Sequence, residues 1–178
     1  MIVVTGGLGF IGQNLVQELI SSGFEVMVLD VKTMDLHKIR HWLMVNHNRI
    51  ETIFHLGAIT DTTTTDVTKL NTYNYSFSVF LWNYCVLYGV KLIYASSAAT
   101  YGDGSNGFDD RNNIGNLQPL NPYAVSKQKF DEFAVAAGHK HNHWWGLKFF
   151  NVYGIGETET GEMASMVYHG YNQIKESG

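Results

Sequence analysis

Short runs of consecutive apolar residues alternate along this chain with stretches in which apolar positions recur every three to four residues. Met1 to Thr5 is the first run, and glycines follow it at once. Phe10, Ile11, Leu15, Leu19 and Ile20 then fall at helical spacing until Gly23. A second buried strand is predicted over Val26 to Leu29, ending at Asp30, with helical patterning around Ile39, Trp42 and Leu43. Thr52 to Leu56 reads as a strand, and a long helix is predicted from about Asp66 to Tyr88, stopped by Gly89. Lys91 to Ala95 (strand), Pro122 to Ala137 (helix), Trp145 to Phe150 (strand) and about Glu162 to Glu176 (helix) complete the series.

Continuous apolar strands alternating with helices imply a parallel sheet covered on both faces. The expected fold class is α/β, a Rossmann-type doubly wound parallel sheet with helices on both faces, whose ligands bind beyond the carboxyl ends of the strands. Only about twenty residues separate Asp30 from Thr52, room for one helix and a very short strand near Met34 to Leu36. Thr62 to Thr65 reads as a loop.

A length of 178 residues, 45% hydrophobic and 16% charged, suits one globular domain, taken here as residues 1–178. The net charge of −4 offers no general polyanion surface, so nucleic acid is not an expected partner. The one cysteine, Cys85, sits in an apolar helical stretch and reads as a buried structural thiol. No segment reads as a signal peptide or membrane span, and the expectation is a cytoplasmic enzyme with no membrane partner.

Chemistry enters at the first turn. Thr5-Gly6-Gly7-Leu8-Gly9-Phe10-Ile11-Gly12 leaves a strand and opens a helix, and Gly7, Gly9 and Gly12 satisfy the G-x-G-x-x-G spacing. That spacing serves a tight turn, close backbone approach to a pyrophosphate, and close helix–strand packing, with the helix N-terminus favouring the phosphates. Asp30, ending the second strand 18 residues past Gly12, would accept hydrogen bonds from ribose hydroxyls. The cofactor expected is NAD or NADP, with Asp30 favouring NAD and Lys32 tempering that preference. Asp35 lies near the adenine or is a solvated loop carboxylate; the sequence leaves both open.

Tyr123 and Lys127, four apart at a helix start, share a face. An ammonium near a phenol should favour the phenolate and lower the tyrosine pKa, giving a general base. Ser97, near the end of the Lys91 to Ala95 strand, could hydrogen-bond the same substrate oxygen.

With these residues in place the chain resembles the extended short-chain dehydrogenases/reductases, the NAD-dependent epimerase/dehydratase family that acts on nucleotide sugars. The resemblance rests on the glycine run, Tyr94-Ala95-Ser96-Ser97-Ala98-Ala99-Thr100-Tyr101-Gly102, Pro122-Tyr123-x-x-x-Lys127 and Phe150-Asn151-Val152-Tyr153-Gly154. It implies Ser97, Tyr123 and Lys127 as the catalytic triad. For the cofactor it implies Gly6, Gly7, Gly9, Phe10, Ile11 and Gly12, then Asp30, Val31, Lys32, Asp35 and Leu36. Leu56, Gly57, Ala58, Asn74, Ala95, Ser96, Phe150 and Val152 would join them, beside Tyr123 and Lys127. Thr60, Ser97, Ala98 and Asn151 would meet a nucleotide-sugar substrate, and the working form would be a homo-oligomer.

Within the family the chain is similar to the ADP-glyceromanno-heptose 6-epimerases, which the threonine-rich segment after Phe54-His55-Leu56-Gly57-Ala58 and Gly161-Glu162-Met163-Ala164-Ser165 suggest. This implies transient oxidation and re-reduction of a sugar carbon in lipopolysaccharide precursor synthesis. Ala98 and Ala99 stand where a dehydratase would need an acid. Two departures qualify the likeness. The second acid/base lysine of the heptose epimerases corresponds to Thr160, which cannot move that proton near pH 7, so Lys148 or a neighbour compensates, the substrate differs, or epimerisation is lost. The family also runs well past 300 residues, so the substrate domain is expected to be largely absent here. The alternatives are a reductase or dehydrogenase of the same family, or a cofactor-binding module without turnover.

Other residues read as structural. His139, His141 and His143 form a solvated loop with no metal site, His55 is structural or cofactor-lining, and Trp144-Trp145 is packing. The aromatics between Tyr73 and Tyr88 belong to the core or to a subunit interface.

Overall fold

The computed structural model describes residues 1–111, 113–157, 161 and 164–177. Five parallel strands form one sheet: β1 (Ile2–Thr5), β2 (Val26–Leu29), β3 (Thr52–His55), β4 (Lys91–Ser97) and β5 (Trp144–Phe149), in the order β2-β1-β3-β4-β5. Ile2 faces Val26 on one side and Thr52 on the other, and Ser97 faces Phe149. Val3 and Val4 are adjacent in β1 and so point to opposite faces, yet both are fully buried. Both faces of the sheet are therefore covered, as an all-parallel sheet requires.

The covering helices are α1 (Phe10–Ser21), α2 (Leu36–Val45), α3 (Val67–Leu70), α4 (Phe77–Tyr88), α5 (Pro122–Ala137) and α6 (Met166–Ser177). Asn121 accepts from the Ala124 backbone N–H and Pro122 occupies the first turn, which fixes the start of α5 where the sequence places it. The expected short strand near Met34 is not formed. Asp35 instead caps α2, accepting from the Lys38 N–H at 2.8 Å, so this stretch is spent on starting a helix. The long helix predicted from Asp66 is interrupted: between α3 and α4, Asn71–Ser76 form a π-helical turn. The last helix starts at Met166; Glu162, where it was expected, lies outside the described residues.

The core joins the sheet to α2, α4 and α5. Trp82 makes edge-on contacts with Phe130, Phe133, His141 and Trp144, at centroid separations of 5.2–6.4 Å. His141 is thus buried against Trp82 rather than solvated, because the loop that carries it folds back over the α4–α5 seam. Cys85 is fully buried, and burial pushes its thiol up to about 12. Among the described residues no helix is long and apolar enough to cross a membrane, and no three His, Cys, Asp or Glu side chains group as metal ligands would.

Candidate dinucleotide and acid–base site

After β1 the chain runs outward to β2 and then returns past β1 to β3. The loops leaving β1 and β3 consequently diverge, and a crevice opens at their carboxyl ends. Here lies a cleft of about 600 Å³.

Its floor is the turn after β1. Gly6 has φ +71°, and a Cβ there would stand 2.5 Å from Gly57 Cα, so the turns leaving β1 and β3 touch through glycine. A Cβ on Gly12 would strike the Gly6 carbonyl and stand 2.7 Å from Gly7 Cα, so α1 lies directly on the turn. Gly9 is different: it lines the cleft, and a Cβ there would meet only the Gly6 oxygen, at 3.3 Å. Of the glycines in this turn, Gly6, Gly9 and Gly12 line the cleft. Gly7 does not line the cleft; it packs on Val28, whose Cγ1 would be 2.7 Å from a Cβ. Gly9 caps α1 with no side-chain hydrogen bond, leaving the first-turn N–H groups to an outside acceptor.

The ends of the other strands complete the walls. Asp30, only 5% exposed, accepts from the Leu8 and Lys32 backbone N–H groups at 3.0 and 2.9 Å, and Lys32 Nζ donates to the Leu8 oxygen. Phe10, Ile11, Val31, Lys32 and Leu36 line this end of the cleft. Leu56, Gly57, Ala58 and Thr60 follow β3; Ala95, Ser96 and Ser97 end β4; Phe150, Asn151 and Val152 follow β5. Tyr123 and Lys127 enter from α5.

Four expected residues fall elsewhere. Gly7 is packing, Asp35 is an exposed cap, Ala98 begins the turn of 3₁₀ helix Ala98–Tyr101, and Asn74 lies behind the wall. Asn74 is 2% exposed; its amide exchanges hydrogen bonds with the Ile59 backbone and donates to Ser126 Oγ, which in turn donates to the Tyr123 carbonyl. It clamps the loop after β3 to α5 from behind the cleft wall.

Lys127 is 8% exposed and donates to the Ala95 carbonyl at 2.9 Å. Burial lowers its pKa to about 8, with the Asp131 carboxylate opposing that fall. Tyr123, also 8% exposed, has its pKa raised by burial, and its hydrogen bond with the Ser97 side chain opposes the rise. The expected lowering of the Tyr123 pKa is not what the chain's own groups produce, because desolvation of the phenol outweighs the Ser97 hydrogen bond. His55 sits between Thr5 Oγ1 (2.7 Å) and Ser78 Oγ (2.8 Å), and burial with the nearby Lys127 charge lowers its pKa to about 3. It is a neutral structural strut.

Lys148 does not reach the cleft. Its ammonium is held by Asp131, 2.6 Å away, and by Thr100 Oγ1 at 2.7 Å, so it is not free to stand in for a lysine at Thr160. Thr160 itself, with Glu162 and Met163, lies outside the described residues. Sequence reasoning missed Asp131, although its spacing of four from Lys127 puts both on one face of α5. Tyr73 and Ser165, also in the cleft wall, carry no sequence signal of their own.

A crevice at the switch point, an uncapped helix start over Gly9 and a buried acid at the end of β2 define a domain of the kind that holds a dinucleotide. Residues 2–178 match the NAD dependent epimerase/dehydratase family, and the chain belongs to that family. It is 41% identical to an ADP-L-glycero-D-manno-heptose-6-epimerase of Fusobacterium nucleatum, over all of this chain and 60% of that protein. The crystal structure of the Helicobacter pylori enzyme of the same name superposes with a TM-score of 0.81 at 30% identity, covering 94% of this chain and 60% of that one. A Thermus thermophilus UDP-glucose 4-epimerase in complex with NAD superposes with a TM-score of 0.72 at 26% identity, over 91% of this chain and 58% of that one. The chain thus spans about 60% of the length of the curated relative and solved structures it matches.

Proposed function

We propose that residues 1–178 form the dinucleotide-binding domain of an NAD(P)-dependent nucleotide-sugar epimerase, of the ADP-heptose 6-epimerase kind. The observation that carries the reading is that Ser97, Tyr123 and Lys127 line the same cleft as Gly9 and Asp30. The residues fit the cofactor: the space over Gly9 is the one a Cβ would take, and the α1 N–H groups face it without a side-chain cap. Asp30 retains acceptor capacity for ribose hydroxyls and would repel a 2′-phosphate, which favours NAD.

When bound, the dinucleotide supplies a hydride acceptor that later returns the hydride. The chain's own residues handle the proton. Ser97 Oγ hydrogen-bonds the reacting sugar oxygen and holds it at Tyr123. The Tyr123 phenolate oxygen takes the hydroxyl proton as the carbonyl forms and gives it back on reduction. Tyr123 rests as a phenol because burial raises its pKa, and Lys127, 8% exposed in the same cleft wall, is the cation that would favour the phenolate as the proton moves. With Asn151 and Thr60 in the wall, the sugar lies toward β5 and the loop after β3.

A second reading, a single-turnover-direction reductase of the same family, is favoured by one observation: Lys148 is committed to Asp131 and supplies no second acid/base. We read the working enzyme as cytoplasmic and as a homo-oligomer; an apolar groove of about 340 Å³ between α3 and α5 around Val67, Leu120 and Val125 supports the second part of that reading.

The test is incubation of the gene's full product with ADP-heptose and NAD or NADP, following the C6 epimer ratio by NMR. Interconversion that Tyr123→Phe abolishes, with cofactor affinity by calorimetry retained, supports the epimerase. Bound cofactor with an unchanged C6 ratio overturns it, and net conversion of the added NAD or NADP to its reduced form, with a keto sugar accumulating, identifies the one-way reductase/dehydrogenase.

A further inference from the structure

Behind the cleft lies a buried polar cluster that the proposed chemistry does not use. Asp131, one turn beyond Lys127 on α5, is 2% exposed. Its Oδ1 accepts from the Tyr94 hydroxyl at 2.9 Å, and its Oδ2 accepts from Ser96 Oγ and Lys148 Nζ, both at 2.6 Å. Lys148 also donates to Thr100 Oγ1, which forces that hydroxyl to give its own proton to the Ser97 carbonyl, 2.8 Å away. The carboxylate from α5 thereby grips β4 on both sides of Ala95, the residue whose carbonyl holds Lys127, while the ammonium from β5 ties that carboxylate to Thr100 in the turn after β4.

The geometry points to Asp131 and Lys148 as positioning residues for the reacting centre: the pair sets the charge of Lys127 and the placement of Ser97 from behind β4. A buried ion pair adds little to stability against an apolar replacement, so stability alone gives no reason for it. Its electrostatic reach does. Asp131 is the carboxylate that keeps Lys127 protonated against burial, and Lys148 moderates the strength of that field. The other titratable groups around Lys127 do not compete: His55 from β3 is neutral, while Tyr123 on α5 and Tyr94 on β4 are held as phenols by burial.

The inference rests on the proposed function only in naming Tyr123 and Lys127 as the reacting pair, and the experiment reads Lys127 directly. Protein labelled with ¹³C,¹⁵N-lysine is titrated by NMR from pH 6 to 11, with Lys127→Met identifying the signal. In the native chain, where burial lowers the Lys127 pKa to about 8, the midpoint is expected near that value. In Asp131→Asn, which keeps the shape but removes the charge and one acceptor oxygen, the midpoint falls by about one pH unit or more. In Lys148→Met, which leaves the carboxylate unopposed, it rises by a similar amount. A merely structural role loosens the packing and moves both variants upward, toward the ordinary lysine value. A rise or no change in Asp131→Asn overturns the proposal. If that variant does not fold, Asp131→Ser, which also removes the charge, takes its place: the midpoint must fall, and a rise or no change refutes the coupling. Lack of epimerase activity in the native protein affects neither outcome.

Discussion

Replacing Gly12 by alanine adds one methyl group where the structure has no room for it. The new carbon would stand 2.7 Å from Gly7 Cα and closer still to the Gly6 carbonyl oxygen. Carbon pairs prefer roughly 3.5–4.0 Å, so α1 must move outward by on the order of 1 Å, and both obstacles are backbone that cannot rotate aside. Overpacking of this kind costs about 1–3 kcal/mol. Alanine's better helix propensity returns at most about 1 kcal/mol, leaving a net loss of up to about 2 kcal/mol. For a chain of this size that lowers Tm by up to roughly 8 °C. The same movement lifts the first-turn N–H groups away from the cleft, so NAD affinity falls with stability. Gly9→Ala is the control, since its Cβ meets only the Gly6 oxygen, at 3.3 Å. Its melting temperature should hold while its NAD affinity falls. Circular dichroism melts and calorimetric titration with NAD measure both quantities. A Gly12→Ala protein with the native Tm and native NAD affinity would refute the placement of α1 on the turn.

The remaining expectations concern the core and its protons. His55 has a folded pKa of about 3 against 6.5 unfolded; below pH 6.5 the unfolded chain binds the extra proton, so stability is complete above 6.5 and drains away as pH falls toward 3. Urea unfolding at pH 7 and pH 5 should differ by an amount on the order of 2 kcal/mol from this group, and an undiminished difference in His55→Gln would sink the assignment. Cys85, fully buried with its thiol pushed up to about 12, should resist maleimide at pH 7 until the chain unfolds; labelling of the native protein in minutes, followed by mass, would contradict that. Trp82→Ala removes the ring that joins Phe130, Phe133, His141 and Trp144 and should cost about 3–5 kcal/mol by urea denaturation.

The strands and α5 were legible because their signals are local. Val26 to Leu29 is a plain apolar run, and Asn121-Pro122 writes a helix start into two residues. Asp35 misled because one short segment can be a strand or a capped helix start, and only the Lys38 N–H at 2.8 Å decides. Which glycines work was also hidden: Gly6 and Gly7 are equivalent in sequence, and the contact with Gly57 that singles out Gly6 spans 51 positions. The spacing that brings Ser97, Tyr123 and Lys127 to one cleft was visible in the sequence, but their electrostatics were not. The sign of the Tyr123 shift follows from burial, which no spacing encodes. Asp131 went unnoticed because an acid on a helix is normally solvated, and its partner Lys148 arrives from another strand.

The π-helical turn at Asn71–Ser76 has a consequence for comparing this chain with others. Such a turn holds one residue more than the α-helix around it, and each residue advances an α-helix by about 100°. Without that extra residue, either Asn74 swings out of reach of Ile59 and Ser126, or Phe77, Leu81, Trp82 and Cys85 turn away from the core they fill. A homologue lacking the Asn74 clamp is therefore expected to be one residue shorter here, while its core positions keep their phase. A single-residue gap between Leu70 and Phe77 in an alignment would then mark lineages that hold the loop after β3 by other means.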